Sequence, residues 1–276
     1  MIGNVACGSV VFAALLPHAP ILIPSVAGKR MERLQATIAA VREASRRVLA
    51  TGADTIIVIS PHGPRQPDAF GIWSDERLLG TLEPFRAPDQ GVSFWNDSVL
   101  VAQITRRANE RGLPLEAVTD LDLDHGTIVP LWFLAEAGWN NRVVAFSLSL
   151  DHNLNVVELG ALIAKAADDI GRRVAFIASG DMSHRLTSRS PFEAQGSEFD
   201  HWLLRTLRRG DHHELLGFNP DLREAAAEDA LDSVLVAMGA IGFKAAGSEV
   251  LSYEAPFGVG YGVAILYSSL ALENDA

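Results

Sequence analysis

Four of the eight histidines stand in contexts that could do chemistry: His18 in Leu-Leu-Pro-His-Ala-Pro, His62 in Ile-Ser-Pro-His-Gly, His125 in Asp-Leu-Asp-His-Gly and His184 in Ser-Gly-Asp-Met-Ser-His. A neutral imidazole is a good metal ligand, and a pKa near ~6.5 lets the same ring exchange protons at neutral pH. His18, His62 and His184 each follow, by two to five residues, a run that reads as a strand. In an open α/β sheet the carboxyl ends of the strands are where ligand crevices form. One histidine in such a place is commonly a hydrogen-bonded structural residue; several converging on one edge point to a site. Two neutral imidazoles with one carboxylate, leaving coordination positions open, form the set that suits non-haem Fe(II) and leaves room for a substrate and dioxygen.

The elements that must position these rings alternate along the chain. Val10–Leu16, Thr55–Ser60, Arg142–Leu148, Arg173–Ser179 and the terminal Tyr261–Ser268 are short apolar runs of the kind buried on both faces of a sheet. Helical spacing of apolar residues marks Lys29–Ala50, Asp97–Arg111, Ile128–Ala137, Val156–Ile170, Glu198–Arg208 and a final helix Glu224–Gly239. Strands separated by helices predict an α/β fold with a central, mostly buried sheet flanked by helices on both faces. The Pro-rich segment Gly63–Gly91 reads as a long irregular loop, and loops of that size tend to be functional. With no internal repeat or Ser/Gly linker, residues 1–276 are expected to form a single domain.

Bulk composition excludes several classes. A net charge of −11 with no Lys/Arg block argues against a nucleic-acid partner. The lone cysteine, Cys7, rules out an internal disulfide and a Cys-rich zinc module, and fits a reducing, cytoplasmic setting. Val10–Leu16 lacks a basic segment before it and runs into Pro17-His18-Ala19-Pro20, so it reads as a strand and not as a signal-peptide core. No stretch is long and apolar enough for a membrane-spanning helix.

Taken in order, Pro-His-Ala-Pro, Ser-Pro-His-Gly, Asp-His-Gly and Ser-Gly-Asp-Met-Ser-His resemble the catalytic, LigB-like subunit of class III extradiol ring-cleavage dioxygenases. The segment Ser252–Gly262 (Ser-Tyr-Glu-Ala-Pro-Phe-Gly-Val-Gly-Tyr-Gly) is similar to the closing segment of the same superfamily, which includes the Memo-like proteins. The resemblance implies a mononuclear Fe(II) held by His18 and His62, with His125 and His184 handling protons and oxygen. It implies a glutamate as third ligand on a late helix, for which Glu228 is the candidate; the neighbouring Asp229 matches the point where Memo-like proteins carry a cysteine. A thiolate is impossible on this helix, so an oxygen ligand is expected. The implied reaction is ring opening of a catecholic substrate beside its diol with O2. His184 would act as base toward a substrate hydroxyl, and His125 would hydrogen-bond oxygen or protonate an intermediate. The protein is expected to work alone or as a homo-oligomer. Two other classes fit the same histidines: a Memo-like metal-binding protein without ring cleavage, and a zinc-dependent hydrolase.

Neighbouring residues carry more than one reading. Asp124 could fix the His125 tautomer or cap the helix that follows, and Asp181 could support the loop before His184. Arg65 and Arg185 could pair with a substrate carboxylate or be surface charges. His212 and His213 read as a solvated turn, because adjacent helical residues point about 100° apart, and His152 and His201 read as structural or exposed.

Overall fold

The computed structural model describes residues 9–274, so Cys7 lies outside the described residues. The chain runs β1 (Val10–Leu16), α1 (Pro24–Ala27), α2 (Gln35–Ala50), β2 (Thr55–Ser60), β3 (Phe70–Trp73), β4 (Arg77–Leu82), β5 (Ala87–Trp95), α3 (Ser98–Arg111), β6 (Leu115–Val118) and α4 (His125–Glu136). It continues through β7 (Arg142–Ser147), α5 (Val156–Asp169), β8 (Val174–Ser179), α6 (Glu193–Arg209), α7 (Pro220–Ala226), α8 (Leu231–Ile241), β9 (Glu249–Glu254), β10 (Tyr261–Ser268) and α9 (Leu270–Asn274).

Eight strands form one sheet in the order β6-β3-β7-β2-β8-β1-β10-β9. Its centre, β7-β2-β8-β1, is parallel, so the carboxyl ends of these four strands share one edge. The β-branched run of β2 shows why helices must cover both faces: Ile57 and Ile59 enter one core with α3, α5, α6 and α8, while Ile56 and Val58 enter a second core with α2 and α4. Side chains alternate across a strand, and a strand apolar at every position needs cover on both sides. The α/β architecture expected from the sequence is the one observed. No helix among the described residues is long and apolar enough to cross a membrane.

Three differences bear on the site. The segment 63–91 is not one irregular loop: it holds β3, β4 and the start of β5, and β4–β5 form a separate two-stranded hairpin. In β4, Leu78, Gly80 and Leu82 are buried and alternate with exposed positions, and the central glycine breaks the apolar alternation that would betray a strand. The edge strand β9 is the second difference. Its residues are partly exposed, so they lack the solid apolar signature of the central strands.

The third difference is the break in the expected helix Glu224–Gly239. α7 stops at Ala226, Ala227 takes a left-handed backbone at φ 50°, and α8 starts afresh at Leu231. Glu228 caps the new helix by accepting from the Leu231 amide at 2.7 Å. Alanine propensity favours an unbroken helix; tertiary hydrogen bonds to Ala226 and Asp229 override it and free Asp229 from a helix face.

Helices α5 and α8 pack through Gly160 and Gly239, where a methyl group would meet the carbonyls of Val236 and Val157. Gly239→Ala is therefore expected to destabilise the fold by about 1–3 kcal/mol through overpacking. Urea unfolding measures this, and an unchanged midpoint would show that the helices can separate without loss.

Candidate metal centre

His18 follows β1 and His62 follows β2, and strand order places β8 between those two strands. The rings meet edge to face, with centroids 4.7 Å apart and planes at 83°, and their Nε2 atoms lie 3.0 Å apart. Asp229, from the break between α7 and α8, brings Oδ2 to 3.5 Å from His18 Nε2 and 3.1 Å from His62 Nε2.

Each group is held so that a lone pair faces the others. Ser179 Oγ, at the end of β8, donates to the Gly126 carbonyl at 2.5 Å and lies 3.1 Å from His18 Nδ1. Its only hydrogen is spent on the carbonyl, so the hydroxyl oxygen accepts from Nδ1–H and leaves Nε2 free to ligate. The His18 amide donates to Asp181 Oδ1 at 2.9 Å, which sets the backbone of the loop after β1. The Asp181 amide in turn donates to Asp229 Oδ1 at 2.7 Å. One oxygen of Asp229 is thereby anchored, and the other is aimed at the imidazoles.

Three donors at mutual distances of 3.0, 3.1 and 3.5 Å fit adjacent positions around one ion. Bonds of ~2.0–2.2 Å to nitrogen and oxygen place neighbouring ligands ~3 Å apart. The electrostatics agree. Burial opposes a charge on His18, yet Asp181 and Asp229 outweigh it and push the ring up to about 9. Burial likewise opposes ionisation of Asp229, and the His18 and His62 rings outweigh it, holding the carboxyl well below its usual range. The pocket therefore stabilises positive charge among these three groups, and a divalent cation supplies it without a proton. The donor set fits a divalent transition metal.

His125 opens α4 beside this group. Its ring lies 4.3 Å from that of His62 and 5.6 Å from that of His18, and one donor atom from each of the three rings falls within a 4.8 Å cluster. Burial, with His62 and His18 beside it, pushes His125 down to about 4, so the ring is neutral at physiological pH. Asp124 takes the capping role: it accepts from the Thr127 amide and hydroxyl at 3.2 and 2.9 Å and from Ser60 Oγ at 2.5 Å, not from the His125 ring. Phe85, in the turn of the β4–β5 hairpin, lies 5.1 Å from the His125 ring; that hairpin was hidden in the supposed loop. His184 is exposed in the loop after β8, and no hydrogen bond among the described residues engages its ring.

Glu228 is not in this group. Its side chain is fully buried on an ion pair with Arg223 and on the Leu231 amide, so it points away from the imidazoles and its carboxylate belongs to the helix break. Arg65 binds the Ser149 carbonyl, and Arg185 lies over the Phe192 ring at 4.6 Å. His212 corrects the reading of a solvated turn: it is buried, with Nδ1 at 3.1 Å from the Lys244 carbonyl and Nε2 at 3.2 Å from Ser248 Oγ. His213 stacks on Phe243, His201 faces the Ser197 carbonyl at 2.6 Å, and exposed His152 lies 3.8 Å from Asp232.

Comparison with known proteins adds to this geometry. Residues 12–264 match the family described as the catalytic LigB subunit of aromatic ring-opening dioxygenase. Protein CA_C1420 of Clostridium acetobutylicum is 29% identical over 95% of this chain, which spans 58% of that relative's length. The 3,4-dihydroxyphenylacetate 2,3-dioxygenase of Escherichia coli is 24% identical, over 86% of this chain and 91% of its own. Among solved structures, an uncharacterized Escherichia coli K12 protein, JW3007, superposes with a TM-score of 0.61 at 15% identity, covering 93% of this chain and 100% of its own, which shows a shared fold.

Proposed function

From the premise that the chain belongs to the family of catalytic LigB subunits of aromatic ring-opening dioxygenases, we propose that it is an Fe(II)-dependent extradiol dioxygenase acting on a catechol. The observation that carries this reading is the convergence of His18 Nε2, His62 Nε2 and Asp229 Oδ2 at the carboxyl edge of the sheet. These three would hold the ion as a two-histidine, one-carboxylate set with positions left open. Bound Fe(II) would lower the pKa of a catechol hydroxyl and pass electrons between the diol and dioxygen.

The chain's own groups supply the rest. The inner side is closed by Ser179, Gly126 and Asp181, whereas His62, His125 and His184 retain access to solvent, so substrate approaches from the side of these three rings. His184, which is exposed, would take a proton from a catechol hydroxyl and release it to bulk. His125, neutral beside the triad, would hydrogen-bond dioxygen or return a proton to the opening ring. The partners are thus an aromatic diol and O2. A weak likeness to the 3,4-dihydroxyphenylacetate enzyme makes that catechol the first to try.

One observation favours a second reading. His125 stands close enough to His18 and His62 to complete a three-histidine set, which suits catalytic zinc and a hydrolase. Metal loading and oxygen consumption separate the two. Loaded anaerobically, the wild type is expected to hold about one Fe(II) per chain by the logic of a single facial triad, and to consume O2 in proportion to added catechol. His18→Ala and His62→Ala are each expected to lose the metal, and full iron occupancy in both would overturn the site. Zinc-dependent ester cleavage without oxygen uptake would favour the hydrolase, and metal binding with neither activity would favour a Memo-like binding role.

A further inference from the structure

The closing motif Ser252–Gly262 contributes none of the three donors, yet it meets the loop that carries Asp181 and His184. The Met182 amide donates to the Gly260 carbonyl and the Gly260 amide to the Ser183 carbonyl, both at 2.8 Å, and the Leu186 amide donates to the Gly258 carbonyl at 3.0 Å. On its other side the loop is tied to the helix break. The His184 amide donates to the Ala226 carbonyl at 3.0 Å and the Asp229 amide to the Asp181 carbonyl at 3.2 Å. The loop is suspended between the two segments.

At the hub is Asp200 of α6, a buried carboxylate that enters no salt bridge among the described residues, with the His201 and His184 rings acting on it only through space. Its Oδ1 accepts from the Ser183 amide at 2.8 Å and its Oδ2 from the Tyr253 hydroxyl at 2.6 Å. Gly260 is required beside it, because a methyl group there would collide with Oδ2. A buried carboxylate outside any ion pair is costly unless it is hydrogen-bonded; here one bond holds the loop at Ser183 and the other holds Tyr253 of β9, so Asp200 ties the loop to the closing segment.

We infer that Asp200 is a positioning residue for the metal centre: it fixes the loop 181–184 between Tyr253 and Gly260, and through Asp181 aims the Asp229 carboxylate at His18 and His62. This rests on the reading of His18, His62 and Asp229 as metal donors. Asp200 touches neither metal nor substrate; its effect passes through the Ser183 amide, the loop backbone, and the Asp181 amide that holds Asp229 Oδ1.

The test is Co(II) titration of the full chain by visible absorption, paired with hydrogen exchange of the metal-free protein. Asp200→Ala is expected to weaken Co(II) binding about 10- to 100-fold, as loss of an outer hydrogen-bond partner does, and to speed exchange across residues 181–186. Asp200→Asn retains an oxygen toward the Ser183 amide and is expected to stay within about threefold of the wild type by the same comparison. Should Asp200→Ala not fold, Tyr253→Phe removes one of the two bonds and is expected to shift both readouts in the same direction by less. Asp97→Asn is the matched control: this buried helix cap bonds Thr55 Oγ1 and the Leu100 amide at the opposite edge of the sheet, so it should cost stability and leave cobalt affinity alone. Unchanged cobalt affinity and exchange in Asp200→Ala, or an equal loss in Asp97→Asn, would overturn the inference. If the wild type takes up no cobalt, the metal assignment fails, and with it the aim of the loop, whereas wild-type uptake with an unaffected Asp200→Ala defeats this inference alone.

Discussion

Asp229→Ala is expected to lower Fe(II) affinity by at least about a hundredfold, exceeding what loss of an outer hydrogen-bond partner costs, whereas Glu228→Gln should change it by less than about threefold. The two carboxylates are adjacent in sequence and differ in what they face. Asp229 Oδ2 faces both imidazoles, while the Glu228 carboxylate is buried against Arg223 and the Leu231 amide. Stability should rank the other way. Glu228→Ala leaves Arg223 with Asp232 alone and removes the cap of α8; breaking a buried ion pair costs about 3–5 kcal/mol. Anaerobic iron titration with urea unfolding of the same variants checks both rankings. Iron loss in Glu228→Gln with retention in Asp229→Ala would move the third ligand by one residue and undo the account of the helix break.

The second large effect separates metal binding from proton transfer. His184→Ala should keep its iron and bind a catechol, yet lose turnover by roughly 10²–10⁴-fold, the contribution of a positioned acid or base. Its ring is exposed and engaged by no hydrogen bond among the described residues, so truncation disturbs no donor. His125→Ala should lose turnover by a similar factor of roughly 10²–10⁴ and release partly reduced oxygen, since dioxygen would lack its hydrogen-bonding neighbour. Because His125 is pushed down to about 4, an acid limb of kcat near neutrality would belong to another group. Rapid oxygen and peroxide assays on iron-loaded variants measure both losses. Wild-type turnover in His184→Ala would assign the base elsewhere while leaving the triad intact.

Much of this arrangement is legible in the residues. Solid β-branched runs such as Ile56–Ile59 announce strands covered on both faces, and a histidine just beyond such a run has to lie at the sheet's carboxyl edge. His18 and His62 were found that way, and the structure brings their Nε2 atoms to 3.0 Å. The third carboxylate was harder, because Ala225-Ala226-Ala227-Glu228-Asp229-Ala230 has every local reason to be helical. Long-range hydrogen bonds to the loop after β8, between Asp229 and Asp181, 48 residues away in sequence, and from the His184 amide to the Ala226 carbonyl, hold the break and turn Asp229 inward. Local pattern cannot weigh such bonds. Ser179 and Asp200 were invisible for a related reason, since a buried serine or aspartate is assigned its partner by topology and not by its neighbours in sequence. The hairpin that carries Phe85 was lost to glycine and proline within an otherwise alternating strand.

The central claim, that His18, His62 and Asp229 hold an iron that opens an aromatic diol, is tested most directly by mass spectrometry of the product formed under ¹⁸O₂. Iron-loaded protein given a panel of catechols, 3,4-dihydroxyphenylacetate among them, should yield a ring-opened product bearing both atoms of one dioxygen molecule, and Asp229→Ala should yield none. Iron bound at the triad with no labelled product from any catechol, or label appearing equally with Asp229→Ala, would contradict it.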